Sequence, residues 1–428
     1  MKDLLDELSW RGLLYDKMPG IEAQLQKEPT TLYVGFDPTA DSLHVGSLVP
    51  ILILIHFQRA GHKPLVLVGG ATGMIGDPLG KATERNLLDE ITLQKNIAGI
   101  QAQLAYFFDF QFGVAELINN YDWMKSISFL DFARDIGKHI TVNYMIAKDS
   151  IKKRLSAEPR KGMSFTEFTY QLLQGYDFLH LYQAKNCLLQ MGGSDQWGNI
   201  TTGVELIRRK TGNTAYGLTF PLITKPDGSK FGKSEKGENI WLDPEQTSPY
   251  WFYQFWMNVS DADAERFIKI YTFLSRTDIE ALITVHRQIP HQRLLQQRLA
   301  SELTTWVHGQ AICEKAVEVS QLLFGQGTTE ALKTLDEVDF LSIFKGVPQA
   351  QLNIEDLRAG LSIIDALVEK GHFLSSNSEA RRALKERAIA VNKQHVDETF
   401  VLGIGDLIAS RYLLLQRGKK QYFIIKVL

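Results

Sequence analysis

The sequence predicts an α/β fold: a doubly wound, mostly parallel sheet, followed by an α-helical domain and a small α+β domain. Up to about residue 224, short apolar runs alternate with amphipathic helical patterns, which is typical of parallel strands joined by helices on both faces of a sheet. Residues 248–324 have helical periodicity without a convincing strand pattern, and the last seventy-odd residues change character again. The predicted boundaries are 1–225 for the sheet domain, 226–245 for a loop rich in glycine and lysine, 246–330 for the helical domain, 331–354 for a linker and 355–428 for the α+β domain.

Three predicted strands end in polar or glycine-rich turns. The apolar runs Leu32–Phe36, Leu65–Val68 and Cys187–Met191 have the composition of central parallel strands. The turns that follow them read GFDPTADS, GGATGMIGDP and GGSDQWGN. Because ligands bind at the carboxyl ends of parallel strands, these turns are the predicted binding edge of the sheet.

The first of these strands leads into a turn that suits a phosphate group. Asp37-Pro38-Thr39 stops the strand, since proline cannot extend a ladder, and an apolar helix is predicted from about His44 to Ala60. The opening residues His44–Ser47 then present unpaired N–H groups at the positive end of a helix dipole. Taken alone, a histidine at a helix start is more often a cap or a surface residue than a ligand.

A second sequence element favours a phosphate-binding role for this histidine. The segment KFGKS, from Lys230 to Ser234, carries two lysines three residues apart around a glycine, within a glycine- and lysine-rich stretch. This composition predicts a mobile loop with paired positive charges. Such a loop fits closure over a triphosphate.

One predicted helix has an unusually polar face. In SFTEFTYQLLQGYDFLHLY, the spacing of Tyr170, Gln174 and Asp177 places all three side chains on one side. They either form a structural hydrogen-bond network or line a polar pocket, and the helix alone does not decide between the two. Asp77 and Asp195-Gln196 follow predicted strands and can converge on the same place. Several acids and amides together suit a small molecule that carries an ammonium and a hydroxyl group.

The C-terminal segment is the basic part of an acidic protein. From residue 355 onward, twelve Lys and Arg stand against nine Asp and Glu, whereas the whole chain has a net charge of -2. Two helices are predicted at LSIIDALVEKG and SSNSEARRALKER, followed by short strands at AIAVN and YFIIK. The second helix carries four basic residues, which either bind RNA or form a solvated face: Arg381, Arg382, Lys385 and Arg387.

Composition restricts the class of protein further. A chain of 428 residues with 44% hydrophobic and 22% charged residues is globular, with two to three domains. The longest apolar run, Val49–Phe57, is far shorter than the roughly 20 residues of a membrane span, and the N-terminus lacks a signal-peptide pattern. We therefore expect a soluble, cytoplasmic protein. Cys187 and Cys313 have no metal-ligand spacing, so reduced thiols are expected, and the sequence contains no His or Cys cluster that suggests a zinc site.

Together these motifs resemble a known family. HVGS at His44–Ser47 resembles the His-Ile-Gly-His signature of class I aminoacyl-tRNA synthetases, and KFGKS resembles their Lys-Met-Ser-Lys-Ser loop. The segments GFDPTADSLH, GGATGMIGDP, NNYDW, QLLQGYD and GGSDQWGNI are similar, in this order, to those of bacterial tyrosyl-tRNA synthetases. The C-terminal segment resembles the S-four-like RNA-binding domain. The resemblance implies a Rossmann-like catalytic domain, a helical domain on the anticodon side and an RNA-binding tail.

The resemblance also implies an activity and its residues. Such an enzyme activates L-tyrosine with ATP, releases pyrophosphate, and transfers the tyrosyl group to the terminal adenosine of tRNA(Tyr); Mg²⁺ arrives with ATP, and the family is dimeric. The implied tyrosine-binding residues are Tyr33 and Asp177 for the phenol, Tyr170, Gln174 and Asp77 for the ammonium group, and Gln196 for the carboxylate. The implied ATP-binding residues are Asp37, Gly193 and Asp195 for the adenosine, Ser47 beside them, and Thr39, His44, Lys81, Arg85, Lys230 and Lys233 for the phosphates during catalysis.

Two positions depart from the family pattern. Ser47 stands where the signature has its second histidine, and Val34 stands where several members carry cysteine near the ribose. The alternative function is an RNA-binding or RNA-folding protein on a synthetase scaffold that has lost aminoacylation, which only Ser47 favours. A tryptophanyl enzyme is the nearest rival within the class, but Tyr33 with Asp177 favours a phenol substrate.

Overall fold

The structure, a computed structural model, describes residues 4–77, 88–148, 151–152, 163–224, 231–232, 237–324, 347–418 and 421–428, with single positions between 332 and 344. The helices are α1 Leu4–Arg11, α2 Ile21–Lys27, α3 Leu48–Arg59, α4 Thr72–Ile75, α5 Glu90–Phe107, α6 Tyr121–Met124, α7 Phe129–Asp135, α8 Val142–Ile146, α9 Phe165–Lys185, α10 Trp197–Thr211, α11 Pro249–Met257, α12 Asp261–Tyr271, α13 Arg276–Gln288, α14 Leu294–His308, α15 Gln310–Phe324, α16 Ile354–Arg358, α17 Ile363–Asp365 and α18 Asn377–Lys385. The strands are β1 Asp16–Lys17, β2 Thr31–Phe36, β3 Lys63–Val68, β4 Glu116–Asn119, β5 Cys187–Gly193, β6 Tyr216–Phe220, β7 Gln349–Leu352, β8 Leu361–Ser362, β9 Ile389–Val391, β10 Gln394–His395, β11 Val401–Leu402, β12 Tyr412–Arg417 and β13 Gln421–Val427.

The chain divides into two compact units, the first formed by Met1–Asp243 with Ser260–Leu295 and the second by Pro244–Val259 with Gln296–Leu428. A six-stranded sheet in the order β1-β6-β5-β2-β3-β4 lies in the first unit. Only β1 within this sheet pairs antiparallel with its neighbour. The predicted α/β class with a doubly wound, mostly parallel sheet is confirmed.

The strand order sets the position of the binding edge. From β2 the chain continues to β3 and β4 on one side, whereas β5 and β6 lie on the other side of β2. The direction of winding therefore changes between β2 and β5. In open α/β sheets, the crevice at the carboxyl ends of two such strands is where ligands bind.

The strands are apolar because both of their faces are covered. Tyr33, Leu65 and Leu67 belong to a core that also contains buried side chains of α9 and α10. Because side chains alternate along a strand, the buried Leu32 and Val66 point to the opposite face. Between α9 and α10 the backbones approach closely at Gly175, where an added Cβ would lie 3.4 Å from a backbone nitrogen of α10.

The helix after β2 begins later than the sequence pattern predicts. The α-helical part starts at Leu48 rather than near His44, because Val45–Ser47 form a turn of 3-10 helix. His44 is the N-cap of that turn, and its side chain accepts a hydrogen bond from the Gly46 N–H. Pro50 fits the first turn of α3, where its missing N–H would have no helical partner.

The second unit combines helices with a five-stranded sheet in the order β10-β9-β12-β13-β7. The strands predicted at AIAVN and YFIIK correspond to β9 and β13, whereas β10, β11 and β12 between them were not predicted. Ser376 caps α18 by accepting a hydrogen bond from the Glu379 N–H. The first predicted tail helix is shorter, with α17 followed by a π-helical turn at Ala366–Lys370.

Aromatic side chains join the helices of the second unit to its sheet. Phe252 and Trp256 of α11 are fully buried. Tyr250 of the same helix shares a core cluster with Phe344 and Tyr412, the latter on β12. These aromatic residues pack the interior of the unit. Among the residues that the structure describes, no helix combines the length and apolar character needed to cross a bilayer.

Candidate active site

A cavity of about 470 Å³ lies in the first unit, at the carboxyl ends of β2 and β5. It therefore occupies the place that the strand order predicts for a ligand. Twelve of the predicted site residues line it: Tyr33, Asp37, Thr39, His44, Ser47, Asp77, Tyr170, Gln174, Asp177, Gly193, Asp195 and Gln196. The predicted phosphate-binding residues Lys81, Arg85, Lys230 and Lys233 lie outside the described residues.

Asp177 is a buried carboxylate with two side-chain donors. Asn120 Nδ2 donates to Asp177 Oδ2 at 2.9 Å, and Trp123 Nε1 donates to Oδ1 at 2.8 Å. Burial raises the pKa of Asp177 from 3.8 to about 7, and the nearby charge of Asp37 adds to this rise, although the two donors oppose it. Burial disfavours the charged form, whereas hydrogen bonds to the carboxylate favour it. Near neutral pH, this carboxyl group is therefore poised between its two protonation states.

The hydrogen-bond network continues from Asn120 to the loop after β2. Asn120 Nδ2 also donates to Thr72 Oγ1 at 3.1 Å, and Thr72 Oγ1 donates to Asp37 Oδ1 at 2.8 Å. The hydroxyl of Tyr170 donates to the other oxygen of Asp37 at 2.8 Å. The Asp37 carboxylate thus joins Tyr170, predicted to bind the amino acid, to the strand turn that was predicted to bind ATP.

A glycine leaves room for this network. A Cβ added at Gly69 would lie 2.2 Å from Asp37 Oδ1 and 2.4 Å from Thr72 Oγ1. Neither atom could stay in place, because Cβ contacts below 3.0 Å do not occur in real structures. The first glycine of the motif GGATG is therefore required by the hydrogen bond between Asp37 and Thr72.

Tyr33 presents a buried hydroxyl to the cavity. Its side chain is 2% exposed, and the hydroxyl has no hydrogen-bond partner in the part of the chain that the structure describes. Burial raises the pKa of Tyr33 well above its ordinary value, and the charge of Asp177 acts in the same direction. The phenol therefore stays protonated. An unpaired buried hydroxyl is costly, so a ligand that pairs with it gains binding free energy.

Amide side chains form a second network on the neighbouring wall. Gln196 Nε2 donates to Asp77 Oδ2 at 2.6 Å, and Gln174 Nε2 donates to Gln196 Oε1 at 3.2 Å. Asn199 Nδ2 in turn donates to Gln174 Oε1 at 2.9 Å. The loop after β5 and the polar face of α9 are thereby connected, as their predicted convergence requires.

The other end of the cavity is formed around His44. Gly46 N donates to His44 Nδ1 at 3.0 Å, and the backbone N–H of His44 donates to Ser47 Oγ at 3.4 Å. Ser47, which departs from the family signature, thus accepts a hydrogen bond from the backbone of the preceding turn. Trp241 lies beside His44, with ring centroids 6.2 Å apart and an angle of 69° between the planes.

The cavity wall is strongly acidic. Among the described residues that line it, there are four aspartates and neither lysine nor arginine: Asp37, Asp77, Asp177 and Asp195. Gly193 allows one of them to approach, since an added Cβ would lie 2.8 Å from Asp195 Oδ1. A wall of carboxylates and amides attracts a ligand that carries a positively charged group.

The residues that support Asp177 were not among the predicted site residues. Asn120 and Trp123 both belong to the segment NNYDW, which begins at the last residue of β4. The position of that segment after a strand was an available signal, but nothing in the sequence shows which side chains reach α9. Trp241 was missed for the same reason, because it lies far from His44 along the chain.

The predicted RNA-binding residues lie in the second unit. Arg381, Arg382 and Lys385 are exposed on α18, and Arg387 is exposed just after its end. The buried side of the same helix carries Ala380, Ala383 and Leu384. The basic side chains therefore form the solvent-facing side of an amphipathic helix.

Comparison with known proteins agrees with this fold. The model of the family described as "tRNA synthetases class I (W and Y)" matches residues 25–325, and the chain belongs to that family. A second family model, for the "Tyrosine--tRNA ligase SYY-like C-terminal domain", matches residues 339–425. Membership of the class I synthetases implies ATP as a substrate.

The relatives narrow the assignment to one branch of the family. The chain is 61% identical to a tyrosine--tRNA ligase of Flavobacterium psychrophilum, with all of both chains covered. It is 58% identical to a tyrosine--tRNA ligase of Bacteroides fragilis over 99% of each chain. A truncated mitochondrial tyrosyl-tRNA synthetase of Aspergillus nidulans has a TM-score of 0.69 at 30% identity, covering 76% of this chain and 95% of that one. Within the family, the chain groups with the tyrosine--tRNA ligases.

Proposed function

We propose that this protein activates L-tyrosine with ATP and transfers the tyrosyl group to the 3′-terminal adenosine of tRNA(Tyr). The observation that carries the proposal is the buried, unpaired hydroxyl of Tyr33, a residue that lines the same cavity as Asp177 and is influenced by the charge of that carboxyl group. A phenol hydroxyl can accept a hydrogen bond from the first and donate one to the second. An indole or a phenyl ring offers no such pair of interactions.

The remaining polar groups of the cavity suit the rest of the amino acid. Tyr170, Gln174 and Asp77 are proposed to bind the ammonium group, and Gln196 is proposed to lie near the carboxylate. The acidic lining supports this assignment, because an ammonium group is favoured beside ionised carboxylates. The hydrogen bonds among these residues hold the acceptors in place before the substrate arrives.

The nucleotide is proposed to occupy the end of the cavity near His44. Asp37, Gly193 and Asp195 are assigned to the adenosine, and Ser47 lies beside them. The phosphates, which enter with Mg²⁺, are assigned to a set that includes residues outside the described ranges: Thr39, His44, Lys81, Arg85, Lys230 and Lys233. These groups neutralise charge on the phosphates rather than act as a base.

The chemistry requires positioning more than proton transfer. An oxygen of the ionised tyrosine carboxylate attacks the α-phosphorus, the new O–P bond forms, and the bond to the bridging oxygen breaks as pyrophosphate leaves. In the second step, a ribose hydroxyl of the terminal adenosine attacks the tyrosyl carbonyl and AMP leaves. Holding both substrates in line supplies much of the acceleration in reactions of this kind.

The C-terminal segment of the protein is proposed to bind the tRNA. Residues 355–428 are proposed as an S-four-like RNA-binding domain, with Arg381, Arg382, Lys385 and Arg387 contacting tRNA phosphates, so affinity should fall steeply with salt. We propose that the functional domains of the protein end at residues 225, 245, 330 and 354, as the sequence predicts. We also propose that the protein acts in the cytoplasm.

A homodimer is proposed as the functional form. Phe129, Leu130, Val142 and Phe165 are all more than half exposed, although they are large and apolar. A patch of exposed apolar side chains marks a protein–protein contact site, and we assign these four side chains to the subunit contact. Sedimentation equilibrium of the purified protein tests this point, since a monomer at micromolar concentration would contradict it.

The central experiment measures exchange of labelled pyrophosphate into ATP with tyrosine, tryptophan or phenylalanine present. We expect exchange with tyrosine and little with the other two amino acids. Absence of tyrosine-dependent exchange would refute the proposed activity. Retained tRNA binding in that case would support the alternative, an RNA-binding protein on a synthetase scaffold.

A further inference from the structure

His44 and Trp241 face each other across a short antiparallel bridge. Val45 N donates to Ile240 O at 2.9 Å, and Leu242 N donates to Leu43 O at 2.8 Å. His44 and Trp241 lie between these two bonds and are therefore a directly opposed pair without hydrogen bonds to each other. Side chains of such pairs are the closest neighbours across an antiparallel ladder.

A hydrogen bond from the backbone also fixes the orientation of the His44 ring. Its Nδ1 accepts the hydrogen bond from Gly46 N, so the proton of the neutral imidazole lies on Nε2. A Cβ added at Gly46 would lie 2.7 Å from Cε1 of the ring, so the imidazole packs directly on the glycine backbone. The indole of Trp241 contacts the same ring in a T-shaped arrangement.

The bridge also connects His44 to the flank of the lysine-containing segment. Ile240 N donates to Gly232 O at 2.9 Å, so the segment that carries Trp241 is bound to Gly232 as well as to the turn at His44. Gly232 has a φ of 96°, which favours glycine, and its Cβ position would be 3.5 Å from Gly46 N. Trp241 thus belongs to one hydrogen-bonded unit that contains parts of both signature motifs.

We propose that Trp241 is a positioning residue for adenylate formation, acting through His44. It restricts the imidazole to the orientation in which Nδ1 accepts the Gly46 N–H and the proton is carried on Nε2, the nitrogen that we assign to a phosphate oxygen. This inference rests on the proposed function of the site. Trp241 is not assigned any contact with the reacting atoms.

The test is a double-mutant cycle on the rate of tyrosine-dependent pyrophosphate exchange. In the wild-type background, Trp241→Ala should lower the maximal rate about 3- to 10-fold, the range expected for an edge-to-face aromatic pair. The KM for tyrosine should not change. Trp241→Phe should restore most of the rate, because it keeps a ring opposite His44.

The same substitution in a His44→Ala background distinguishes the mechanism from a general structural role. If Trp241 acts through the imidazole, Trp241→Ala should have no further effect once that imidazole is absent. An equal loss in both backgrounds, or a parallel rise in the KM for tyrosine, would overturn the proposal. If Trp241→Ala does not fold, the cycle is run with Trp241→Leu under the same criteria.

Two controls distinguish a failure of the role proposed for Trp241 from a failure of the proposed function. Trp251→Ala changes a 42% exposed tryptophan of the second unit and should leave the exchange rate unchanged. Failure of the wild-type protein to exchange pyrophosphate would refute the proposed function itself. A normal wild-type rate with no response to Trp241→Ala would refute only the role of Trp241.

Discussion

The end of the cavity around Asp177 and the end around His44 differ in how their side chains are held. At the first end, one continuous network runs from Trp123 through Asp177 and Asn120 to Thr72, Asp37 and Tyr170, and four of its six side chains are buried: Asp177, Asn120, Thr72 and Tyr170. At the second end, His44, Ser47 and Trp241 are only partly buried. The imidazole there is oriented by a backbone amide and a neighbouring ring.

This difference matches the two kinds of recognition that the proposed reaction needs. Distinguishing tyrosine from phenylalanine depends on one hydroxyl, and only rigid, buried partners make its absence costly. The triphosphate is recognised by charge and must leave as pyrophosphate, so a more open arrangement suits it. Substitutions at Asn120, Asp177 and Tyr33 should therefore weaken amino acid binding more than nucleotide binding, whereas Asp37 is proposed to serve both.

The largest expected effect is that of Asn120→Ala. Asn120 is fully buried and bonds to Ala71 N, Thr72 Oγ1 and Asp177 Oδ2, so its removal leaves several buried groups unpaired. We expect the free energy of unfolding to fall by about 3 kcal/mol and tyrosine to bind at least about 10-fold more weakly. Urea denaturation and equilibrium binding of tyrosine and ATP measure these changes.

The neighbouring Asn119→Ala is the matched control for that substitution. Asn119 is only partly buried, and its side chain accepts a hydrogen bond from Tyr121 N at the surface. Its loss should change stability by less than about 1 kcal/mol. A loss of ATP affinity in Asn120→Ala as large as the loss of tyrosine affinity would contradict the division of the cavity into two ends.

An effect of comparable total size, but spread over about three pH units, is expected from the titration of Asp177. Because its pKa is raised from 3.8 to about 7, the folded protein binds more protons at this site than the unfolded chain between those two pH values. The contribution of Asp177 to stability is therefore complete below about pH 4 and is lost as the pH rises through 7. The loss is at most about 1.4 kcal/mol for each pH unit.

The measurement compares how stability depends on pH in two proteins. Urea denaturation of the wild type and of Asp177→Asn from pH 4.5 to 8 gives a slope for each, and other carboxylates contribute equally to both. The wild type should lose stability with rising pH relative to the variant. Parallel curves would show that Asp177 does not titrate in this range.

The smallest effect expected is that of Tyr33→Phe. This change removes a buried hydroxyl that has no described partner, so the free protein should be stabilised by about 1 kcal/mol or remain unchanged. Tyrosine binding should weaken about 2- to 10-fold, whereas phenylalanine binding should not weaken. Calorimetric titration of the wild type and of Tyr33→Phe with each amino acid gives the change in each dissociation constant.

Tyr144→Phe is the control for the removal of a hydroxyl. The hydroxyl of Tyr144 accepts a hydrogen bond from Lys148 and donates one to the Thr201 carbonyl, so its loss should destabilise the protein. Opposite signs for the two substitutions would confirm that Tyr33 is unsatisfied without ligand. A destabilised Tyr33→Phe would mean that its hydroxyl has a partner in the free protein.

Local patterns were sufficient to predict the strands at Leu32, Leu65 and Cys187, and the polar face of α9. A central parallel strand is apolar because both its faces are covered, and that requirement is visible in a few consecutive residues. The same holds for α18, whose basic and apolar sides alternate with the helical period. The edge strands β1 and β4 were not predicted, because they lack the apolar run of a central strand, and β6 and β12 were not predicted either.

The sequence by itself determined the fold class, the edge of the sheet where the cavity lies and the polar face of α9. These features follow from periodicity and from turns, which depend only on near neighbours in the chain, whereas several other predicted site residues, such as Tyr33 and Thr39, came from the resemblance to a known family. The tertiary structure alone decided that Asp37 bonds to Tyr170, that Asn120 and Trp123 support Asp177, and that Trp241 lies against His44. Each of those contacts joins residues at least thirty positions apart, and such a pairing is selected by packing and burial rather than by any local pattern.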